Sequence, residues 1–155
     1  MPTPALLRCT GASSAWSNRT ASCRRTRILE MTRYGEAGPG PEGSVMTVAF
    51  ELRGQRLVAL NGGPIFQFTP AVSFVVECDS QQEIDDYWRK LTEGGEPGQC
   101  GWLKDRYGVS WQVVPRRLIE MTKDPDPVRS GRVMQAMMPM RKLDLAALEA
   151  AYSGG

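Results

Sequence analysis

Histidine is absent from the 155 residues. That zero removes histidine general bases, Ser-His and Cys-His dyads and every histidine metal ligand. The four cysteines (Cys9, Cys23, Cys78, Cys100) form no C-x-x-C pair, so the usual zinc spacings are missing too. The longest uncharged stretch opens at Leu57 and runs up to Glu77. Asn61, Gly62, Gly63, Pro64, Gln67 and Pro70 interrupt it, which excludes a membrane-spanning helix there. No P-loop, G-x-S-x-G or HExxH string occurs. Without a secretory hydrophobic region the expected compartment is the cytoplasm, where the cysteines should stay free thiols.

What is present is the composition of one globular domain, 41 % hydrophobic and 23 % charged. The net charge of +2 hides an asymmetry. Residues 1–27 hold five arginines and no acid, while the remainder carries 14 basic against 17 acidic side chains. A body of net charge −3 argues against nucleic acid as the main partner.

Residues 1–26 show neither a 3.6 nor a 2 periodicity. Three readings stand: a disordered tail, an Arg- and Ser-rich organellar leader, or a segment translated out of frame. From Arg27 the pattern is regular. Arg27–Arg33 can be a strand, followed by a Gly- and Pro-rich loop from Tyr34 to Gly43. Met46–Leu52 alternates strictly, with Met46, Val48, Phe50 and Leu52 on one face and Thr47, Ala49 and Glu51 on the other. A turn at Arg53–Gln55 leads into Arg56–Asn61, and these two strands read as a hairpin. Ala71–Cys78 is a fourth strand. Ser80-Gln-Gln-Glu83 is a capping box, and Ile84, Tyr87, Trp88 and Leu91 form the apolar stripe of the helix it opens. Short strands are expected at Gly101–Lys104 and Val109–Val114 around a turn at Asp105–Gly108. Arg117–Met121, Pro127–Met138 and Leu143–Tyr152 look helical. The order predicts an α+β fold with a mainly antiparallel sheet.

Gly38-Pro-Gly-Pro-Glu-Gly43 fits G-x-G-x-x-G as a string, but two prolines remove amides and a strand, not a helix, follows. It reads as a loop. Asp85 and Asp86 lie on the polar side of the capped helix, and the spacing of Glu51 and Glu77 marks no acid–base pair. The Met134–Met140 cluster reads as packing or a dimer contact. On Val109–Val114, alternation places Trp111 opposite Gln112. A helix over the Trp111 face would leave Gln112, with Ser110 and Val114, on the concave side.

Six segments then carry a resemblance: Val45–Leu52, Ala59–Phe66, Phe68–Phe74, Asp86-Tyr-Trp88, Cys100–Asp105 and Tyr107–Pro115. Together they resemble the PhnB-like proteins of the vicinal oxygen chelate superfamily, with the glyoxalases, bleomycin-resistance proteins and extradiol dioxygenases. Such proteins often bear the label 3-demethylubiquinone-9 3-methyltransferase. Methyl transfer is not expected, because no glycine-rich turn stands in a strand–helix context. The resemblance implies a curled sheet of paired βαβββ modules around a cleft, often completed by a dimer partner. Module two is present; of module one only the last three strands are, and its first strand and helix should lie before Arg27, where no periodicity is found, so the out-of-frame reading of residues 1–26 gains from that. The expected organisation is this segment, a domain at 27–115 and a helical C-terminal extension of it at 116–155.

The resemblance also puts Ala71 where catalytic members carry a histidine ligand, and Gln112 where they carry a glutamate. Neither replaces the original, so no metal and no cofactor are expected. The principal reading is a dimeric small-molecule-binding protein of unknown ligand, with Ser73, Trp102, Gln112, Asn61 and Glu51 lining the cleft. One alternative is a metal-dependent lyase, isomerase or dioxygenase using carboxylates such as Glu51 or Glu77. The other is an assembly subunit acting through the Met-rich helices. Neither nucleic acid nor membrane is an expected partner.

Overall fold

The computed structural model describes residues 26–52 and 54–155, so the readings of the N-terminal segment lie outside the described residues. The chain forms two compact units, one ending at Gln67 and one running from Phe68 to Gly155.

The first unit is a three-stranded antiparallel sheet, ordered β1 (Thr26–Arg33), β2 (Val45–Leu52), β3 (Gln55–Leu60). On β2 Val48 and Phe50 are buried, with Val45, Leu52, Leu57 and Ala59 packed against them, but the expected alternation is incomplete, since Ala49 on the other face is buried as well. Leu52 pairs with Gln55, and the hairpin turns at Gly54, whose φ of +88° lies in the left-handed region glycine favours. The Tyr34–Gly43 loop folds around the Tyr34 ring. A Cβ on Gly40 would stand 2.4 Å from the ring carbon Cε2, and one on Gly38 2.8 Å from Cδ1. Two of the three glycines of the G-x-G-x-x-G string therefore make room for an aromatic ring.

The second unit opens with one complete βαβββ module: β4 (Ser73–Cys78), α1 (Gln81–Thr92), β5 (Glu96–Pro97), β6 (Trp102–Lys104) and β7 (Ser110–Pro115). The strands lie in the order β4-β7-β6-β5, with β4 parallel to β7 and the other pairs antiparallel. Strand β4 starts at Ser73, later than expected from Ala71. Thr69–Val72 is instead a turn, closed by the Val72 amide on the Thr69 carbonyl at 3.3 Å, and the ladder to β7 begins at Ser73. The two-residue β5 was not foreseen.

Helix α1 forms where the capping box predicts. The Ser80 hydroxyl accepts from the Glu83 amide at 3.3 Å, while the Glu83 carboxylate reaches the Asp79 amide at 2.7 Å, one residue before the cap. The helix packs on β4, β6 and β7, with Ile84 fully buried. Beneath it Trp111 and Val113 are buried, and Phe74 meets Trp111 at 5.3 Å between ring centroids.

Three helices follow: α2 (Arg116–Thr122), α3 (Pro127–Met137) and α4 (Leu145–Ser153). Helix α4 starts after the expected Leu143 because Asp144 caps it, accepting the Ala147 amide at 3.0 Å. Leu118, Met121, Val133, Leu143 and Leu148 make their buried cluster. Each such side chain contributes about 1.5–3 kcal/mol of burial. Met137 and Met140 pack against this cluster, whereas Met134 and Met138 are exposed. The helices are tied to the sheet: the Cys100 and Gly101 amides donate to the Met140 and Arg141 carbonyls, both at 2.7 Å. Gln81 adds a clamp, donating to the Leu143 carbonyl at 3.2 Å and accepting the Leu145 amide at 2.8 Å. No described helix is long and apolar enough to cross a membrane.

Candidate functional site

With Trp111 under α1, alternation sends Ser110, Gln112 and Val114 to the opposite face of β7. Val114 packs into the C-terminal helical cluster, which leaves Ser110 and Gln112 as the polar positions of that face on β7. Strand register completes two rows. Lys104, Ser110 and Ser73 stand side by side across β6, β7 and β4, and Trp102, Gln112 and Val75 form the next row. The Gln112 amide donates to the Ser73 hydroxyl at 2.9 Å, diagonally between the rows. Ser73, Trp102 and Gln112 are thus brought together on one face, as the sequence suggests. Glu51 and Asn61 belong to the other unit. There Glu51 pairs with Arg27 at 3.2 Å, and the Asn61 amide closes the strand ends by donating to the Val45 carbonyl at 3.0 Å.

Beside Trp102 lies a hollow of about 160 Å³, lined by residues that include Pro70, Glu96, Gly98, Lys104 and Ser110. Ser110 is 2 % exposed, and its Oγ has no hydrogen-bond partner among the described residues. A buried hydroxyl left this way costs about 1–3 kcal/mol. Across the strand pair, Lys104 faces Glu96 at 3.9 Å, a loose contact between side chains 47 % and 79 % exposed. Exposed pairs of this kind contribute about 0–1 kcal/mol.

The turn that presents Lys104 and Ser110 is built on Asp105, a buried carboxylate. It accepts the Tyr107 amide at 2.9 Å, the Val109 amide at 3.0 Å and the Trp111 indole N–H at 3.1 Å. All three donors come from within six residues, so the turn holds its own shape and aims both strands. Sequence reasoning located this turn without seeing that its first residue is the anchor. The signal was Asp105-x-x-Gly108, with Gly108 at φ +83°. Lys104 was legible as the residue two beyond Trp102 on the same strand face.

The carboxylates expected of a metal site do not gather. Among the described residues no three His, Cys, Asp or Glu side chains converge. Glu77 pairs with Arg116 at 3.1 Å, and Ala71 sits exposed ahead of β4 without a donor atom. With Gln112 neutral and bonded to Ser73, this donor set does not fit a divalent ion held by His and Glu. Cys78 is no nucleophile either. Burial pushes its thiol up to about 12, with further upward pressure from Glu83 and Asp79, the reverse of an activated thiolate.

The profile of a family described as 3-demethylubiquinone-9 3-methyltransferase matches residues 2–114. The match begins well ahead of Val45, the start of the first resembling segment. None of the curated proteins matches the chain. Among solved structures, a PhnB protein from Bacillus cereus that carries the same methyltransferase label is 37 % identical, with 58 % of this chain and 79 % of that one covered at a TM-score of 0.52. A protein from Pseudomonas aeruginosa is 22 % identical over 57 % of this chain and 77 % of that one, with a TM-score of 0.46.

Proposed function

The chain belongs to the family described as 3-demethylubiquinone-9 3-methyltransferase, the PhnB-like proteins, and from that premise we propose that it binds a small molecule on the second unit and transfers no methyl group. The observation that carries this reading is the Ser73–Gln112 pair beside Trp102, facing away from α1. An amide, a hydroxyl and an indole on one sheet face suit a small organic ligand: two polar groups orient it and the ring covers its apolar part. Methyl transfer from a nucleotide-like donor would call for a glycine turn leading into a helix. Here Gly38 and Gly40 of the nearest such string pack against Tyr34, and the string leads into β2.

The test is a small-molecule library followed by ¹H–¹⁵N spectra of the full chain. The reading expects at least one compound whose binding moves the Ser73 and Gln112 resonances and is weakened about tenfold by Gln112→Ala. A purified protein holding one equivalent of metal that Gln112→Ala removes would sink it in favour of metal-dependent chemistry.

A homodimer is part of the proposal. Val58 and Leu60 on the outer strand β3 are 59 % and 67 % exposed, an apolar strand surface of the kind interfaces cover. Sedimentation should give a dimer that Leu60→Lys weakens; a monomer at all concentrations ends this part of the reading. A cytoplasmic location also belongs here, in keeping with the free thiols of Cys78 and Cys100.

A further inference from the structure

We propose that Asn61-Gly62 is a site of spontaneous covalent modification, where the Asn61 side chain loses ammonia and the carboxylate left behind loosens the first unit. The site lies wholly in that unit, and nothing in it depends on what the second unit binds.

The sequence holds two asparagines, Asn18 and Asn61, and Asn61 alone is followed by glycine. Ring closure on an asparagine needs the next backbone nitrogen to reach its Cγ. A glycine there has no Cβ to obstruct the approach and the widest choice of backbone angles. The fold leaves this nitrogen within reach of water. Gly62 is exposed, and its amide donates to no acceptor among the described residues. Asn61 itself is half-buried and follows the last residue of β3, where a strand end opens at the least cost.

Water is the one co-reactant the step requires. Base takes the Gly62 amide proton, and the nitrogen attacks Asn61 Cγ. The new N–Cγ bond closes a five-membered imide, the Cγ–Nδ2 bond breaks, and Nδ2 leaves as ammonia. Water then opens the imide at one carbonyl or the other, giving aspartate or isoaspartate. Nothing is oxidised or reduced.

The conversion matters because Asn61 is a junction. Its amide N–H donates to the Met46 carbonyl at 2.8 Å, its Nδ2 donates to the Val45 carbonyl at 3.0 Å, and its own carbonyl accepts the Tyr34 hydroxyl at 2.5 Å. The start of β2, the end of β3 and the buried Tyr34 thus meet on one residue. Aspartate sets a carboxylate oxygen against the Val45 carbonyl, acceptor against acceptor. Isoaspartate lengthens the main chain by one atom at the same point, and the carbonyl that Tyr34 holds becomes a free carboxylate.

The experiment incubates the full chain in mildly alkaline buffer and follows the Asn61 and Asn18 peptides by mass spectrometry. The expected result is a gain of one mass unit at Asn61, faster at higher pH and well ahead of Asn18. Gly62→Ala should slow the gain several-fold and keep the fold. Gly62, unlike Gly63 at φ +79°, lies outside the left-handed region, and a Cβ on it would meet Leu60 Cδ2 at an ordinary 3.9 Å. The converted fraction carries one more negative charge and separates by ion exchange. It should melt below the intact protein, with shifted Tyr34, Val45 and Met46 amides in ¹H–¹⁵N spectra, and Asn61→Asp should reproduce the lower melting temperature. Conversion of Asn61 in urea but not in the folded chain, an unchanged rate in Gly62→Ala, or a converted fraction that melts with the intact protein overturns the proposal.

Discussion

In the unit that begins at Phe68, a helix covers one face of the sheet and three more helices close on a cluster whose members are almost completely buried. In the unit ending at Gln67, the described residues form a three-stranded sheet without a helix, centred on Val48 and Phe50. Ile28 and Met31, paired with Phe50 and Val48 on the same face of that sheet, remain about half exposed. Val58 and Leu60, on the opposite face, are more exposed still. The contrast shows what a second layer does. Alternation alone sorts side chains to faces, but a face becomes a core only when another element is laid on it.

The sharpest way to break this comparison is to truncate one leucine in each unit. Leu143→Ala, in the fully buried helical cluster, should cost about 2–5 kcal/mol. Leu57→Ala, on a partly exposed strand, should cost clearly less; equal losses in urea denaturation would show the two units to be equally packed. Next in size is Asp105→Ala, which removes three hydrogen bonds to a buried carboxylate and strands the Trp111 indole N–H. It should cost about 1.5–3 kcal/mol and shift the Trp111 resonance while leaving the first unit's spectrum unchanged.

Much of this architecture could be read before any coordinates. Strand β2, the hairpin at Gly54 and the cap at Ser80 are local features, so neighbouring residues suffice to predict them. What escaped depends on distant residues. Strand β5 is two residues long, and one is proline. It exists because Gly95 and Gly98 let the backbone come close to β6, where a Cβ on Gly95 would lie 2.2 Å from the Lys104 carbonyl oxygen. The parallel pairing of β4 with β7 joins segments almost forty residues apart and leaves no periodic trace. The candidate site divides in the same way. Alternation put Gln112 opposite Trp111 correctly, and Ser73 and Trp102 joined it. The hydrogen-bonding condition of Ser110 depends on every atom around it, which no spacing rule encodes. Asn61 and Glu51 lie in the other unit, where the Asn61 amide donates to the Val45 carbonyl and Arg27 pairs with Glu51.

Two smaller effects sharpen the comparison within the second unit. Ser110→Ala should stabilise the free protein by about 1 kcal/mol, because it removes a buried hydroxyl that lacks a partner. A loss of stability in thermal melts would mean the hydroxyl has a partner in solution. The last effect is one of pH. The Tyr152 hydroxyl, and then the Asp126 amide, hold the Asp124 carboxyl below its usual range. Since the folded value lies below the unfolded one of about 3.9, its contribution is complete above that value. It is lost as pH falls through the depressed folded value. Acid titration of urea stability should show this as a shallow decline that Tyr152→Phe flattens.

Gly101 carries a consequence for how the protein is divided. Its amide binds the Arg141 carbonyl, its own carbonyl receives the Val113 amide, and a Cβ at this position would press on Val113 and Leu143. One small residue thus joins the sheet to a segment that begins after the family match has ended at residue 114. The stretch that the family profile matches and the mechanical unit that folds therefore have different borders. A fragment cut where the match stops would leave the Gly101 amide and its neighbour at Cys100 reaching for carbonyls that had been deleted.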